Sequence, residues 1–390
     1  MMQKNKKIAT VFLGVFLSIQ LSAQTGTLKG KIYFTNTNQF LANASVQLQG
    51  INLGATCDSL GNYTIANIPV GTYNVIGSNV GYKQKMVYEI VVLGTLPTYL
   101  DISLDENKTL AQVTVKASPY NKTRESPVSL KTIGAAEIER NPGGNRDITK
   151  AIQSFPGVAS AVSFRSDLII RGGGPSENKF YLDGVEVPTI NHFTTQGATG
   201  GVFGMINVNM IREVDFFAGA FPANRGNTLS SLFEFKQKDG NKEKVRYTAI
   251  LGLTDLAFLA NGPMGKRTTF NSSFRRSYQE VLGKAFGFPV IPTYSDIQFK
   301  IKTKLSEKDE ISFIGLGAYD QTNLNRNFRT ASSYKNLNNT DKQIFESFKN
   351  TIPVNNQYNF TVGANYKHFT KNGFHQIVLS NSYFNNTYKR

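Results

Sequence analysis

The residues able to do chemistry are few and poorly placed for it. The chain of 390 residues has three histidines, His192, His368 and His375, far apart in sequence. A metal site needs ligands at close, regular spacing, and a metalloprotease needs its His-Glu-x-x-His on one helix; neither pattern occurs. There is no Gly-x-Ser-x-Gly nucleophile turn and no calcium-loop spacing. Cys57 is the single cysteine, so no intramolecular disulfide can form. Arg171-Gly172-Gly173-Gly174 is glycine-rich, but no Gly-Lys-Ser/Thr follows it and no long helix opens there, so it is not a phosphate loop. Arg171 and Glu177 are close enough in sequence to pair, as structural ions would. No catalytic residue, metal site or cofactor is expected, and the chain is read as a non-enzyme.

The segment Leu168–Val187 carries the most information. An apolar strand enters Arg171 and three glycines, and a second strand, Phe180 to Leu182, meets Asp183-Gly184. Read alone, the glycines are a loop needing positive φ. Asp-Gly between apolar runs is a general hairpin signal. Its neighbours sharpen it. Asp147 can cap a helix whose Ile148, Ala151, Ile152 and Phe155 share one face, and Pro156-Gly157 ends it. Ile211–Gly219, Phe221–Gly226 and Leu229–Phe235 follow in order.

These five ordered blocks over about 120 residues resemble the plug domain of TonB-dependent outer-membrane receptors. Ile152-Gln-Ser-Phe-Pro-Gly-Val158 is similar to that family's helix-ending motif, while Arg225 stands where the family usually has an aromatic. The resemblance gives Arg171, Gly172, Gly173, Gly174, Asp183 and Gly184 as plug-motif residues, in an α+β plug over 121–240.

Upstream, short strands with regular turn residues recur from Gly26 to Asp105, as in a β-sandwich. Gly30, Asp58, Gly61, Tyr63, Ile68-Pro-Val-Gly-Thr-Tyr73 and Gly81-Tyr82 resemble the carboxypeptidase regulatory-like, transthyretin-like domain, here 24–106, which carries no peptidase activity. Residues 107–120 read as a linker. Within it Ala111, Gln112, Val113, Thr114, Val115 and Lys116 form a short β-prone run. The resemblance makes this the TonB box, which pairs strand to strand with the energy-transducing protein; main-chain hydrogen bonds would supply the affinity. A last strand of the sandwich is the other reading of the same run.

Downstream of 240 the period becomes two. Val245, Tyr247, Ala249, Leu251 and Leu253 alternate with Lys244, Arg246 and Thr248; Ile297, Phe299 and Ile301 alternate with Gln298, Lys300 and Lys302. A half-buried soluble sheet and a membrane barrel both show this period. Segments near ten residues with frequent aromatics favour the barrel, and the polar stretch Thr322–Asn350 suits an extracellular loop. The 150 residues after 240 (390 − 240) allow about seven strands at roughly 20 residues each. The family barrel has about 22, so the chain is expected to be an N-terminal portion of a longer receptor. The fold class expected is mainly β: a sandwich, an α+β plug and an incomplete antiparallel transmembrane barrel.

Composition agrees. Phe 28 and Tyr 17 supply all aromatics, Gly is 34, and charged residues are only 18%, a folded β-rich profile. Lys4, Lys6 and Lys7 followed by apolar Ile8–Leu21 read as a secretory signal, 1–23, cut after Ala23. The formal charge of +16 becomes +13 without those three lysines. The cations are scattered along alternating strands, which fits anionic outer-membrane lipid better than nucleic acid. By resemblance, the partners are a TonB-type protein, outer-membrane lipid and a nutrient ligand (siderophore, glycan, cobalamin or similar), and the location is the outer membrane with sandwich and plug facing the periplasm. The alternative is an envelope binding protein that contacts TonB without transport.

Overall fold

The computed structural model describes residues 25–94, 96–107, 130–141, 147–159, 166–195, 201, 203–252, 254–286, 290–325, 335–351, 354–371 and 373–389. The expected signal segment 1–23 and Ala111–Lys116 lie outside them. The chain divides into two compact units, Met1–Gln112 and Val113–Arg390.

The first unit is a sandwich of β1 (Thr25–Phe34), β2 (Ser45–Leu48), β3 (Gly54–Thr56), β4 (Asn62–Pro69), β5 (Gly71–Ser78), β6 (Lys85–Val92), β7 (Thr98–Tyr99) and β8 (Ile102–Leu104). One sheet runs β4-β1-β7 with β8 also on β1, and the other runs β3-β2-β5-β6. Period-two alternation points Leu28 and Ile32 inward against Val46, Ile65, Val75 and Ile102. Gly30 lies on the same face of β1, where a Cβ would sit 1.8 Å from the Leu100 carbonyl oxygen. The Asp58 carboxylate accepts from the amides of Leu60 and Asn62 at 2.9 and 2.8 Å. Gly61 completes that turn at φ 71°, so Asp58 and Gly61 are turn residues. Cys57 is buried beside it.

The second unit begins with the plug. Its elements are β9 (Leu130–Gly134), α1 (Ala135–Glu139), α2 (Ile148–Gln153), β10 (Val158–Ala159), β11 (Ile169–Ile170), β12 (Asn178–Leu182), β13 (Val185–Val187), β14 (Ile211–Phe217) and β15 (Ser231–Gln237). The five-stranded sheet is ordered β13-β12-β15-β14-β9, with β12 and β15 parallel. Asp147 caps α2, accepting from the Thr149 amide, and Ile148, Ala151 and Ile152 are buried on it. The core is a stack of phenylalanines: Phe216 lies 4.7 Å from Phe233, and Phe180 5.5 Å from Phe233, ring centre to ring centre.

Seven antiparallel strands follow: β16 (Arg246–Leu251), β17 (Asp255–Pro263), β18 (Thr268–Ser277), β19 (Val290–Lys304), β20 (Asp309–Leu324), β21 (Val354–Phe369) and β22 (Phe374–Lys389). They form one meander in chain order. Among the described residues β16 and β22 do not pair, so the sheet is a partial barrel wall. β19 to β22 run 15 or 16 residues, longer than the ten expected, because each extends beyond its apolar segment into polar ends. Helices α3 (Gln279–Phe286) and α4 (Asn339–Thr351) lie in the connections at one end of the wall. The polar stretch Thr322–Asn350 is therefore partly helical, where the sequence suggested only loop.

Candidate functional site: the plug and its seat in the wall

The glycine-rich turn is built differently from the expectation. Among its three glycines only Gly172 has positive φ, 82°, and Arg171 itself sits at φ 51°. Gly173 is needed for proximity: a Cβ there would lie 2.5 Å from Ser230, whose hydroxyl donates to the Ile170 carbonyl at 2.7 Å. No Arg171–Glu177 ion pair forms among the described residues. The Arg171 guanidinium instead lies over Gly219, where a Cβ would be 2.7 Å from Nη1. Gly219 has φ 102°, so the two blocks are matched across space.

Asp183 and Gly184 form a tight hairpin turn, with φ 47° and 87°, the pair of left-handed residues such a turn requires. This turn docks the plug on the wall. Asp183 Oδ1 and Oδ2 accept from the Gln237 amide and Nε2 at 3.1 and 3.0 Å. Lys300 Nζ of β19 lies 3.3 Å from Oδ2, and Asn365 Nδ2 of β21 donates to the Asp183 carbonyl at 2.8 Å. A Cβ on Gly184 would stand 3.2 Å from Asn365 Nδ2 and 3.2 Å from Gln376 Nε2. Lys300 also pairs with Asp239 at 2.8 Å, and Lys302 reaches Asp239 at 3.3 Å.

Arg225, the departure from the aromatic pattern, has a defined role. Its guanidinium pairs with Glu234 at 2.8 Å and lies 4.5 Å above the Tyr181 ring. The planar cation thus covers an aromatic face as an aromatic side chain would. Burial raises the Glu234 carboxyl above the usual range, and the Arg225 charge opposes that rise. Nearby, Lys236 pairs with Glu213 and Asp215 at 3.0 and 2.6 Å. Burial works against its charge, but those two carboxylates raise its pKa above the ordinary lysine value.

Further along the seam the plug residue His192, which no sequence motif singled out, is fully buried among wall side chains. Asn207 joins it there, its amide donating to Gln298 Oε1 at 3.0 Å and its Nδ2 to Ser273 Oγ at 2.6 Å. No sequence spacing could reveal these partners, which are 66 to 128 residues away. Among the described residues no group of three or more His, Cys, Asp or Glu is placed to hold a metal ion.

The wall's two faces are inverted relative to a soluble sheet. One register row, Phe258, Phe274, Ile297, Gly317, Phe360 and Tyr383, crosses six strands on the outside. Ser273, Gln298 and Thr361, one residue away on their strands, are buried, as are Asp296 and Lys300; all of these but Thr361 bond to plug residues. β20 and β17 differ: inward Ile314, Leu316 and Ala318 complete the plug's apolar core, and Ala257 and Leu259 pack with plug residue Met210.

Residues 122–230 match the TonB-dependent Receptor Plug Domain, and residues 28–115 match the CarboxypepD_reg-like domain. The chain carries a carboxypeptidase regulatory-like domain followed by a TonB-dependent receptor plug domain. The regulatory-like match extends through Val115 and so includes Ala111–Val115. No curated protein matches the chain in sequence. Among solved structures, the siderophore receptor PirA of Pseudomonas aeruginosa is 13% identical at TM-score 0.46, over 67% of this chain and 41% of its own. The ferric-catecholate import receptor Fiu of E. coli K12 is 12% identical at TM-score 0.47, over 70% and 41%. The ferric enterobactin receptor PfeA of P. aeruginosa is 16% identical at TM-score 0.46, over 66% and 41%. The chain spans about two fifths of the length of these receptors. The plug and its partial wall lie together in the second unit, and the regulatory-like domain makes up most of the first.

Proposed function

We propose that this chain is the gate-bearing part of an outer-membrane receptor that actively takes up a scarce nutrient, energised by a TonB-type protein. The observation that carries the reading is the inverted wall. A sheet that buries Gln298, Asp296 and Lys300 and turns Phe274, Ile297 and Phe360 outward has the polar lumen and apolar exterior of a membrane barrel. In water the same sheet would expose a continuous apolar row and bury charges at a cost. Apart from apolar contact at β17 and β20, the plug fills that lumen through hydrogen bonds and ion pairs. Such contacts can be exchanged for water when the plug shifts, so the seam suits a gate.

The wall's ends fit an orientation. Residues 264–267 and 305–308 are tight turns at one end, and α3 and α4 lie in two of the connections at the other. Short periplasmic turns and long outer connections are the rule for such barrels. The plug's entry to the wall is on the short-turn side, facing the periplasm.

Ala111–Lys116 is the proposed TonB contact, by strand addition. The overlap of Ala111–Val115 with the regulatory-like match favours the second reading, a closing strand of the sandwich. Deleting 111–116 separates them. Loss of TonB crosslinking with an intact sandwich supports the contact; unfolding of the sandwich supports the strand.

Two assays test the function. The native gene product should fractionate with the outer membrane and migrate anomalously on gels when unheated. A deletion strain should lose growth on one limiting ligand among ferric siderophores, glycan oligosaccharides and cobalamin. A product that stays in the periplasm, with growth unchanged on every ligand, would point to the non-transporting binding protein instead.

A further inference from the structure

His192 is wholly buried where plug and wall meet. Its Nδ1 lies 2.7 Å from Asp320 Oδ1 on β20, and its Nε2 lies 3.1 Å from Asp296 Oδ2 on β19. A carboxylate only accepts hydrogen bonds, and a neutral imidazole carries one N–H. With two carboxylates facing two ring nitrogens, a neutral ring would set a nitrogen lone pair against a carboxylate oxygen in a buried seam. Only the imidazolium donates to both.

The surroundings are those of a counted charge cluster. Arg275 of β18 donates from Nε to Asp296 at 3.0 Å, and from Nη2 to the plug carbonyls of Gly204 and Met205 at 2.8 and 2.7 Å. Asp320 Oδ2 accepts from the Phe193 amide at 2.8 Å. Tyr294 of β19 stacks on the His192 ring at 4.2 Å, and its hydroxyl donates to Asp255 of β17 at 2.8 Å. On the plug side, Asp147 accepts from the Gly204 amide at 2.9 Å. Two cations, His192 and Arg275, therefore directly meet two anions, Asp296 and Asp320. A neutral His192 would leave that buried core one negative charge in excess.

We propose that His192 is held as a buried imidazolium that fastens plug residues 189–195 and 203–207 to wall strands β19 and β20, and that the fastening is lost when the ring gives up its proton. The inference requires only the packing of plug and wall and does not depend on which ligand is carried, or on transport at all. Burial works against the charge, yet the Asp320 field and the hydrogen bonds of both carboxylates outweigh it and raise the His192 pKa to about 9. The folded protein therefore holds this proton more tightly than the unfolded chain does. The stabilisation is complete below the ordinary histidine value of 6.5 and disappears as pH rises through about 9. At neutral pH these residues are thus fastened, and alkali releases them.

The test uses the full protein in detergent micelles, with histidine labelled by nitrogen-15. The double substitution His368→Gln/His375→Gln leaves His192 as the sole histidine of this chain. At pH 7.5 both ring nitrogens are expected at imidazolium positions, moving to a neutral tautomer only as pH approaches about 9. A neutral tautomer at pH 7.5 overturns the proposal. As a second measurement, His192→Gln should speed amide exchange in 189–195 and 203–207 at least tenfold, with the sandwich unchanged and the alkaline acceleration of the wild type abolished. Unchanged exchange in those segments overturns the fastening role. Should the variant fail to fold, the labelled-ring titration still decides the charge state. Uptake assays are read separately, so a failed transport reading leaves this result intact.

Discussion

Gln298 of the wall donates from Nε2 to Oε1 of plug residue Gln237 at 2.9 Å, and both side chains are fully buried. Two facing amides in the interior of a β-sheet protein are costly unless each finds its partners. Here Gln237 also donates to Asp183, and Gln298 also accepts from the Asn207 amide. The pair carries the Asp183–Lys300 end of the seam on to Asn207 and Ser273. The His192 cluster forms a second polar contact between plug and wall.

Lys300→Met removes the cation shared by Asp183 and Asp239. A fully buried pair broken on one side costs roughly 3–5 kcal/mol. Asp239 keeps Lys302 as a partner, so a smaller loss of about 2 kcal/mol is expected, within that reasoning. Chemical denaturation of the plug-bearing unit measures it, and a loss under about 0.5 kcal/mol, the level of a surface change, would remove Lys300 from the seam.

Gly184→Ala places a side chain at φ 87° and within 3.2 Å of Asn365 and Gln376. Left-handed backbone alone costs about 1–2 kcal/mol for an L-residue. Thermal unfolding should show that loss, together with faster exchange across the β12–β13 turn. Gly226→Ala is the control: nothing lies within 4 Å of its Cβ position, and its effect should stay within about 0.5 kcal/mol.

Leu379→Arg puts a charge on the outer face of β22, where Leu379 is 69% exposed. In a bilayer the cost near the midplane is about 2–4 kcal/mol. Ser380→Lys, one residue away on the opposite face, should cost far less. Urea titration of the full-length protein in lipid vesicles compares them. Equal effects would mean that the outer face does not meet lipid.

Cys57 tests the sandwich. Burial, with a smaller push from Asp58, raises its thiol from 9.0 to about 11. The thiolate is the reactive form, so at pH 8 the native thiol should react with a disulfide reagent about 100-fold more slowly than the unfolded one. The stability sign follows: above about pH 9 the unfolded chain loses this proton first, so the sandwich weakens as pH rises towards about 11. A thiol as fast in the native state as in urea would place Cys57 at the surface.

The local features were legible in the sequence because their causes are local. Asp147 caps α2 through its own side chain two residues ahead. Asp58 and Gly61 close their turn within five residues, and Asp183-Gly184 dictates a hairpin through backbone sterics alone. The sandwich strands follow from alternation, and seven wall strands follow from period and length. What stayed hidden was the direction of each face. A period of two says that faces differ, not which one meets solvent, and Gln298 against Ile297 reads identically in both senses. Only the tertiary structure decided it, by bringing a plug about 60 to 180 residues away in sequence against the polar face. The same distance explains His192, which no local motif singled out. Its chemistry is set by Asp296 and Asp320, 104 and 128 residues along the chain, and a charge is held in a buried seam only by partners that folding delivers.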